Sequence, residues 1–66
     1  MNLTVNGKAY RCPPNTTVSA LLELLALAGR RVAVERNGDI VPRSLHLSTA
    51  LVEGDEIEIV VAVGGG

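Results

Sequence analysis

Leu3-Thr4-Val5-Asn6-Gly7-Lys8-Ala9-Tyr10-Arg11-Cys12 is the stretch that decides the fold. Two short alternating runs meet at Asn6-Gly7. Both central residues of a type I′ turn need positive φ, and Asn-Gly supplies them at the lowest steric cost. The stretch therefore predicts an antiparallel hairpin with Leu3, Val5, Ala9 and Cys12 facing inward. Pro13-Pro14 ends its second strand, because proline removes ladder donors.

Downstream, Thr16 or Thr17 can cap a helix. Val18, Leu21, Leu22, Leu25 and Ala28 fall on one stripe at helical spacing, which Leu24 and Leu27 widen. Glu23 sits on the polar side, and Gly29 followed by Arg30-Arg31 predicts the helix stop. Val32–Arg36 reads as a third strand, and Asn37-Gly38 as a second tight turn into Asp39-Ile40-Val41, closed by Pro42. Residues 43–54 form a longer connection in which Leu45, Leu47 and Leu51 are expected to plug the sheet edge. Glu53-Gly54-Asp55 makes a turn. Residues 56–63 are the most apolar strand and should lie centrally, with Ile57, Ile59 and Val61 toward the helix and Glu58, Val60 and Ala62 on the open face.

Hairpin, helix, short strands and a final strand are most economically arranged as one helix on one face of a mixed four- or five-stranded sheet. That is an α+β, β-grasp (ubiquitin-like) arrangement, with the first and last strands adjacent and parallel. It assigns residues 1–63 to one domain and 64–66 to a glycine tail.

Composition narrows the functions available. A chain of 66 residues buries only about 60% of its unfolded surface and has no room for an enclosed cofactor site beside its core. With one Tyr and neither Phe nor Trp, the core must be aliphatic. The net charge of −1, without a basic stripe or stacking aromatics, gives no reason to expect nucleic-acid binding. No run approaches the roughly 18 apolar residues of a membrane span, and Met1–Val5 reads as a strand rather than a signal peptide. The single Cys12 cannot form an internal disulfide, which fits a cytoplasmic, reducing setting.

Gly64-Gly65-Gly66 carries the candidate chemistry. Glycine has no Cβ, so such a tail threads into sites that other residues would block. Three extended residues reach roughly 10 Å beyond the domain, enough to place the carboxylate of Gly66 in another protein's active site. That carboxylate is ionised at neutral pH and is a poor electrophile. Acyl chemistry therefore requires activation, most simply as a mixed anhydride with AMP. ATP and Mg²⁺ must come with a partner, since Asn6-Gly7-Lys8 lacks the spacing of a phosphate loop. The activated acyl group can then accept sulfur and become a thiocarboxylate, or accept an amine and form an isopeptide bond.

Three segments carry a family resemblance: Val5-Asn6-Gly7, Val32–Arg43 with its Asn37-Gly38-Asp39-Ile40-Val41-Pro42-Arg43, and Gly54–Gly66, with Thr17-Val18 and Leu21-Leu22 also in keeping. On these residues the chain resembles the ThiS family, the sulfur carriers of thiamin (thiazole) biosynthesis. The middle segment discriminates, because a glycine tail is common to ubiquitin-like proteins generally. The resemblance implies that a ThiF-like enzyme adenylates Gly66 and that sulfur derived from cysteine by a desulfurase replaces AMP. A thiazole synthase, ThiG-like, then draws sulfur from the thiocarboxylate. On this reading the chain is a co-substrate rather than an enzyme and holds no cofactor or metal of its own. One departure is Leu45-His46, where family members often carry an aromatic residue.

Among single residues, Cys12 before Pro13 is expected to be a small buried hydrophobe rather than a persulfide carrier, and solitary His46 a surface loop residue without metal partners. Glu53, Asp55, Glu56 and Glu58 read either as a solvated turn or as an acidic collar that steers basic partners. Arg36 and Arg43 either solvate the sheet edge or meet partner acids. Glu58, Val60 and Ala62 are the expected docking face beside the tail. Competing functions are a MoaD-like carrier for molybdopterin, a ubiquitin-like modifier joined to lysines, and a non-covalent binding module indifferent to Gly66.

Overall fold

Asn6 and Gly7 take φ values of 50° and 81°, so the first hairpin reverses in two residues between β1 (Asn2–Val5) and β2 (Lys8–Arg11). The register pairs Val5 with Lys8, Thr4 with Ala9 and Leu3 with Tyr10. Directly opposed residues share a face. Tyr10 therefore joins buried Leu3, while Ala9 lies exposed beside Thr4. The expectation of an inward Ala9 fails because a two-residue turn pairs odd positions with even ones. Cys12 continues the Tyr10 parity and is buried.

The computed structural model describes residues 1–62. Helix α1 spans Val18–Leu24, and Thr17 caps it by accepting the Ala20 N–H at 3.1 Å. Thr16 instead donates its hydroxyl to the Pro13 carbonyl. Val18, Leu21 and Leu22 are buried, and each such aliphatic side chain contributes about 1.5–3 kcal/mol. The helix stops well before Gly29. Ala26 turns left-handed at φ 60°, its N–H bonds the Glu23 carbonyl, and the Leu27 N–H bonds the Leu22 carbonyl at 2.8 Å. These are the paired bonds of a Schellman ending. Leu27 is thereby folded back onto the core while Ala28 and Leu24 face solvent. Gly29, at φ 81°, serves the next turn, closed by the Arg30 N–H on the Leu27 carbonyl.

β3 (Val32–Arg36) and β4 (Asp39–Ile40) form the second hairpin, with Asn37 and Gly38 at φ 51° and 88°. A 3₁₀ turn follows at Arg43–Leu45. β5 (Glu56–Val61) closes the fold at the centre of a five-stranded sheet ordered β2-β1-β5-β3-β4. It runs parallel to β1 and antiparallel to β3, the β-grasp topology. Ile57, Ile59 and Val34 meet Leu3 and the helix in one core.

The 43–54 connection departs from expectation. Leu51 enters the core, but Leu45 and Leu47 are 47% and 80% exposed. His46 takes the inward place instead. Its Nε2–H donates to the Val41 carbonyl at 3.1 Å, a bond that leucine cannot make. The Ser19 N–H bonds the His46 carbonyl, and the Val18 and Leu51 N–H groups bond Thr49 and Thr16, which ties this connection to the start of α1.

Candidate functional site

The site is built around the last residues of β5, which precede the glycines in sequence. Val63 and Gly64–Gly66 lie outside the described residues, so the structure speaks to the root of the tail. The Ala62 N–H donates to the Arg31 carbonyl at 2.9 Å, so the β3 ladder holds the chain up to that point. Val61 opposes Val32, and Val60 opposes Ala33.

Two asparagines lock β5 from both flanks. Asn6 Oδ1 accepts the Ile59 N–H at 2.7 Å, and its Nδ2 donates to the Ile59 carbonyl. Asn37 Oδ1 accepts the Glu56 N–H, its own N–H donates to the Glu56 carbonyl, and its Nδ2 donates to Asp55. Each turn residue thus behaves as an extra strand residue. β5 is held in register exactly where β1 ends and where β3 turns.

Glu58, Val60 and Ala62 all lie exposed, with Val60 at 66%. Strand pairing adds neighbours that sequence reading missed: Ala33 beside Val60, Glu35 beside Glu58, and Ile40 beyond Glu35. The available signal was the alternation of Val32-Ala33-Val34-Glu35, in which Val34 is buried and Val32 half-buried while Ala33 is exposed and Glu35 half-buried on the other face. The face is a small apolar strip flanked by two carboxylates.

The acidic collar is smaller than expected. Asp55 is 4% exposed and points inward, receiving Arg36 Nε at 2.9 Å, Asn37 Nδ2 and the Val52 N–H. Burial pushes its carboxyl up. The Val52 and Asn37 hydrogen bonds and the Arg36 charge outweigh that and leave it below the usual aspartate value. Arg36 is therefore committed to the fold. Glu53 accepts the Asn2 N–H at 2.9 Å, which holds its carboxyl below the ordinary value too. Glu56 and Glu58 are exposed.

His46 is buried, contrary to its expected surface position, and Arg43 lies at the opening of the 3₁₀ turn. Among the described residues no three His, Cys, Asp or Glu side chains gather as metal ligands, and no helix is long and apolar enough to cross a membrane.

Comparison with known proteins agrees with this geometry. The model of the ThiS family matches residues 3–66. A sulfur carrier protein ThiS from Bacillus subtilis is 38% identical over 97% of this chain and 98% of its own length. The crystal structure of a thiamine biosynthesis protein (ThiS) from Geobacter metallireducens superposes with a TM-score of 0.85 at 38% identity, over the whole of both chains. A thiazole synthase from Paramagnetospirillum magneticum is 46% identical over this entire chain, which spans only 20% of that protein.

Proposed function

The chain belongs to the ThiS family, and from that premise we propose that it carries sulfur for thiazole formation in thiamin biosynthesis on the carboxyl group of Gly66. A ThiF-like partner transfers AMP from ATP to that carboxylate, releasing pyrophosphate, with Mg²⁺ on the partner's side. The terminal sulfur of a cysteine desulfurase's persulfide, reduced by a thiol that is itself oxidised to a disulfide, displaces AMP and leaves a thiocarboxylate. A thiazole synthase then takes the sulfur. The observation that carries this reading is the family match running through residue 66, past the end of β5 and over all three glycines. The thiazole synthases that contain a stretch similar to this whole chain support such an enzyme as recipient.

The exposed Glu58, Val60 and Ala62, with Ala33 and Glu35, form the docking face. Apolar contact there holds the domain, and the two carboxylates orient it against a basic partner surface. The asparagine clamps hold β5 in register at Ile59 and Glu56, upstream of the tail.

Intact mass after incubation with ATP, Mg²⁺, a ThiF-like enzyme and a sulfide source tests the proposal. A gain of about 16 Da, abolished by deleting Gly66, corresponds to one oxygen replaced by sulfur at the activated carboxyl. An unchanged mass, with an enzyme active on another carrier, overturns it in favour of a modifier or a binding module.

A further inference from the structure

A second feature lies at the root of the tail, on the helix side of the sheet. A cavity of about 200 Å³ opens between the end of α1, the start of β3 and the 3₁₀ turn, with Leu22 and Val32 among its apolar walls and Ser19, Arg30, Arg43 and His46 among its polar ones. Arg30 and Arg43 are exposed, and neither forms an ion pair or a side-chain hydrogen bond among the described residues. The one described ion pair uses Arg36. The Ser19 hydroxyl likewise bonds nothing described. His46 Nε2 is engaged by Val41, which leaves Nδ1 as its remaining polar atom.

Two arginines lining one concave site, in a chain of net charge −1, make the local charge opposite in sign to that of the whole molecule. Guanidinium forks match carboxylates in geometry as well as charge. The cavity also adjoins the described end of β5: Val32 lines it and opposes Val61, and the Arg31 carbonyl holds the Ala62 N–H.

We propose that the Arg30–Arg43 cavity docks an acidic segment of the enzyme that adenylates the tail, with one or two of its carboxylates seated between the guanidinium groups. This inference rests on the sulfur-carrier reading and adds a second contact to it, of opposite polarity to the Glu35–Glu58 face. The enzyme would thus grip the tail root between a basic patch and an acidic one. That arrangement fixes which way round the carrier is presented, since a reversed domain meets like charge on both sides.

The test uses the full chain carrying Arg30→Glu, Arg43→Glu or both, with Arg11→Glu as a control of equal charge change on β2. Adenylation is followed at 50 and 200 mM salt, and unfolding midpoints confirm that each variant is folded. Charge reversal at a complementary rim should raise the apparent KM about tenfold for each cavity variant and more for the pair, with kcat retained, a weakened salt dependence and little change for Arg11→Glu. Equal KM values for wild type and the double variant overturn the proposal. So does saturable binding of inorganic phosphate at residues 19, 30 and 43 in amide spectra without any KM effect, which makes the cavity a small-anion site. Failure of wild type to be adenylated at all refutes the carrier reading itself.

Discussion

Asn6 bonds both backbone groups of Ile59, 53 residues away in sequence. The first turn of the chain therefore holds the strand that carries the tail. β1 ends at Val5 and its main-chain ladder reaches Ile57 through the Asn6 N–H. The side-chain amide supplies the next rung.

Replacing Asn6 with Gly keeps the positive φ and removes only the clamp. The Ile59 N–H and carbonyl then lose their partners in a partly buried place. A loss of about 1–2 kcal/mol is expected, or a melting midpoint lower by roughly 5–10 °C for a domain this small. Asn6→Ala should cost more, since it adds the strain of a left-handed non-glycine residue. Equal midpoints for Asn6→Gly and wild type in thermal denaturation would show that water replaces the clamp at no cost.

Ala26 offers the reverse experiment. It occupies the left-handed position of the Schellman ending, where glycine carries no Cβ penalty. Ala26→Gly should stabilise the domain by about 1 kcal/mol, read as a higher urea midpoint with unchanged slope. A destabilised variant would mean that the gain in unfolded-chain entropy exceeds the strain relieved.

The helix shows what could be read in advance and what could not. Both Asn-Gly turns, the five strands and the central β5 follow from local pattern, because turn chemistry and period-2 alternation act over a few residues. The end of α1 does not. Leu25, Ala28 and Gly29 continue a helical pattern, and only packing of Leu27 against the core reverses the chain at Ala26. His46 escaped for a similar reason: its partner, the Val41 carbonyl, is available only after the 3₁₀ turn forms. Asp55 read as a surface acid because its ligands, Arg36 and Asn37, come from another strand and turn. Glu58, Val60 and Ala62 were legible as one face from alternation alone, whereas Ile40 and Glu35 joined them through register.

Asp55 makes stability depend on acid. Its folded pKa lies below the ordinary aspartate value, so the folded state binds its proton less readily than the unfolded chain. The resulting stability is fully present above about pH 4 and is lost as pH falls through the lower, folded value. Asp55→Asn removes the charge opposite Arg36 and should cost about 2–3 kcal/mol at neutral pH. The gap between wild type and variant should then narrow as the solution is acidified below pH 4. Parallel stability curves down to pH 2 would contradict the assignment.

Glu58 tests the docking face without touching the fold. It is exposed on the open face opposite Glu35, and two like charges directly opposed across a ladder repel. Glu58→Lys replaces that repulsion with attraction, so folding stability should hold or rise by a few tenths of a kcal/mol. If the two carboxylates meet a basic partner surface, the same change should raise the apparent KM for adenylation roughly tenfold at low salt, with kcat retained. Val60→Asp, placed beside Ala33, should weaken binding in a manner that added salt does not restore, because it removes apolar contact rather than long-range charge. A Glu58→Lys carrier that is thiocarboxylated with unchanged KM would take this carboxylate out of the interface and leave Val60 and Ala62 to carry docking alone.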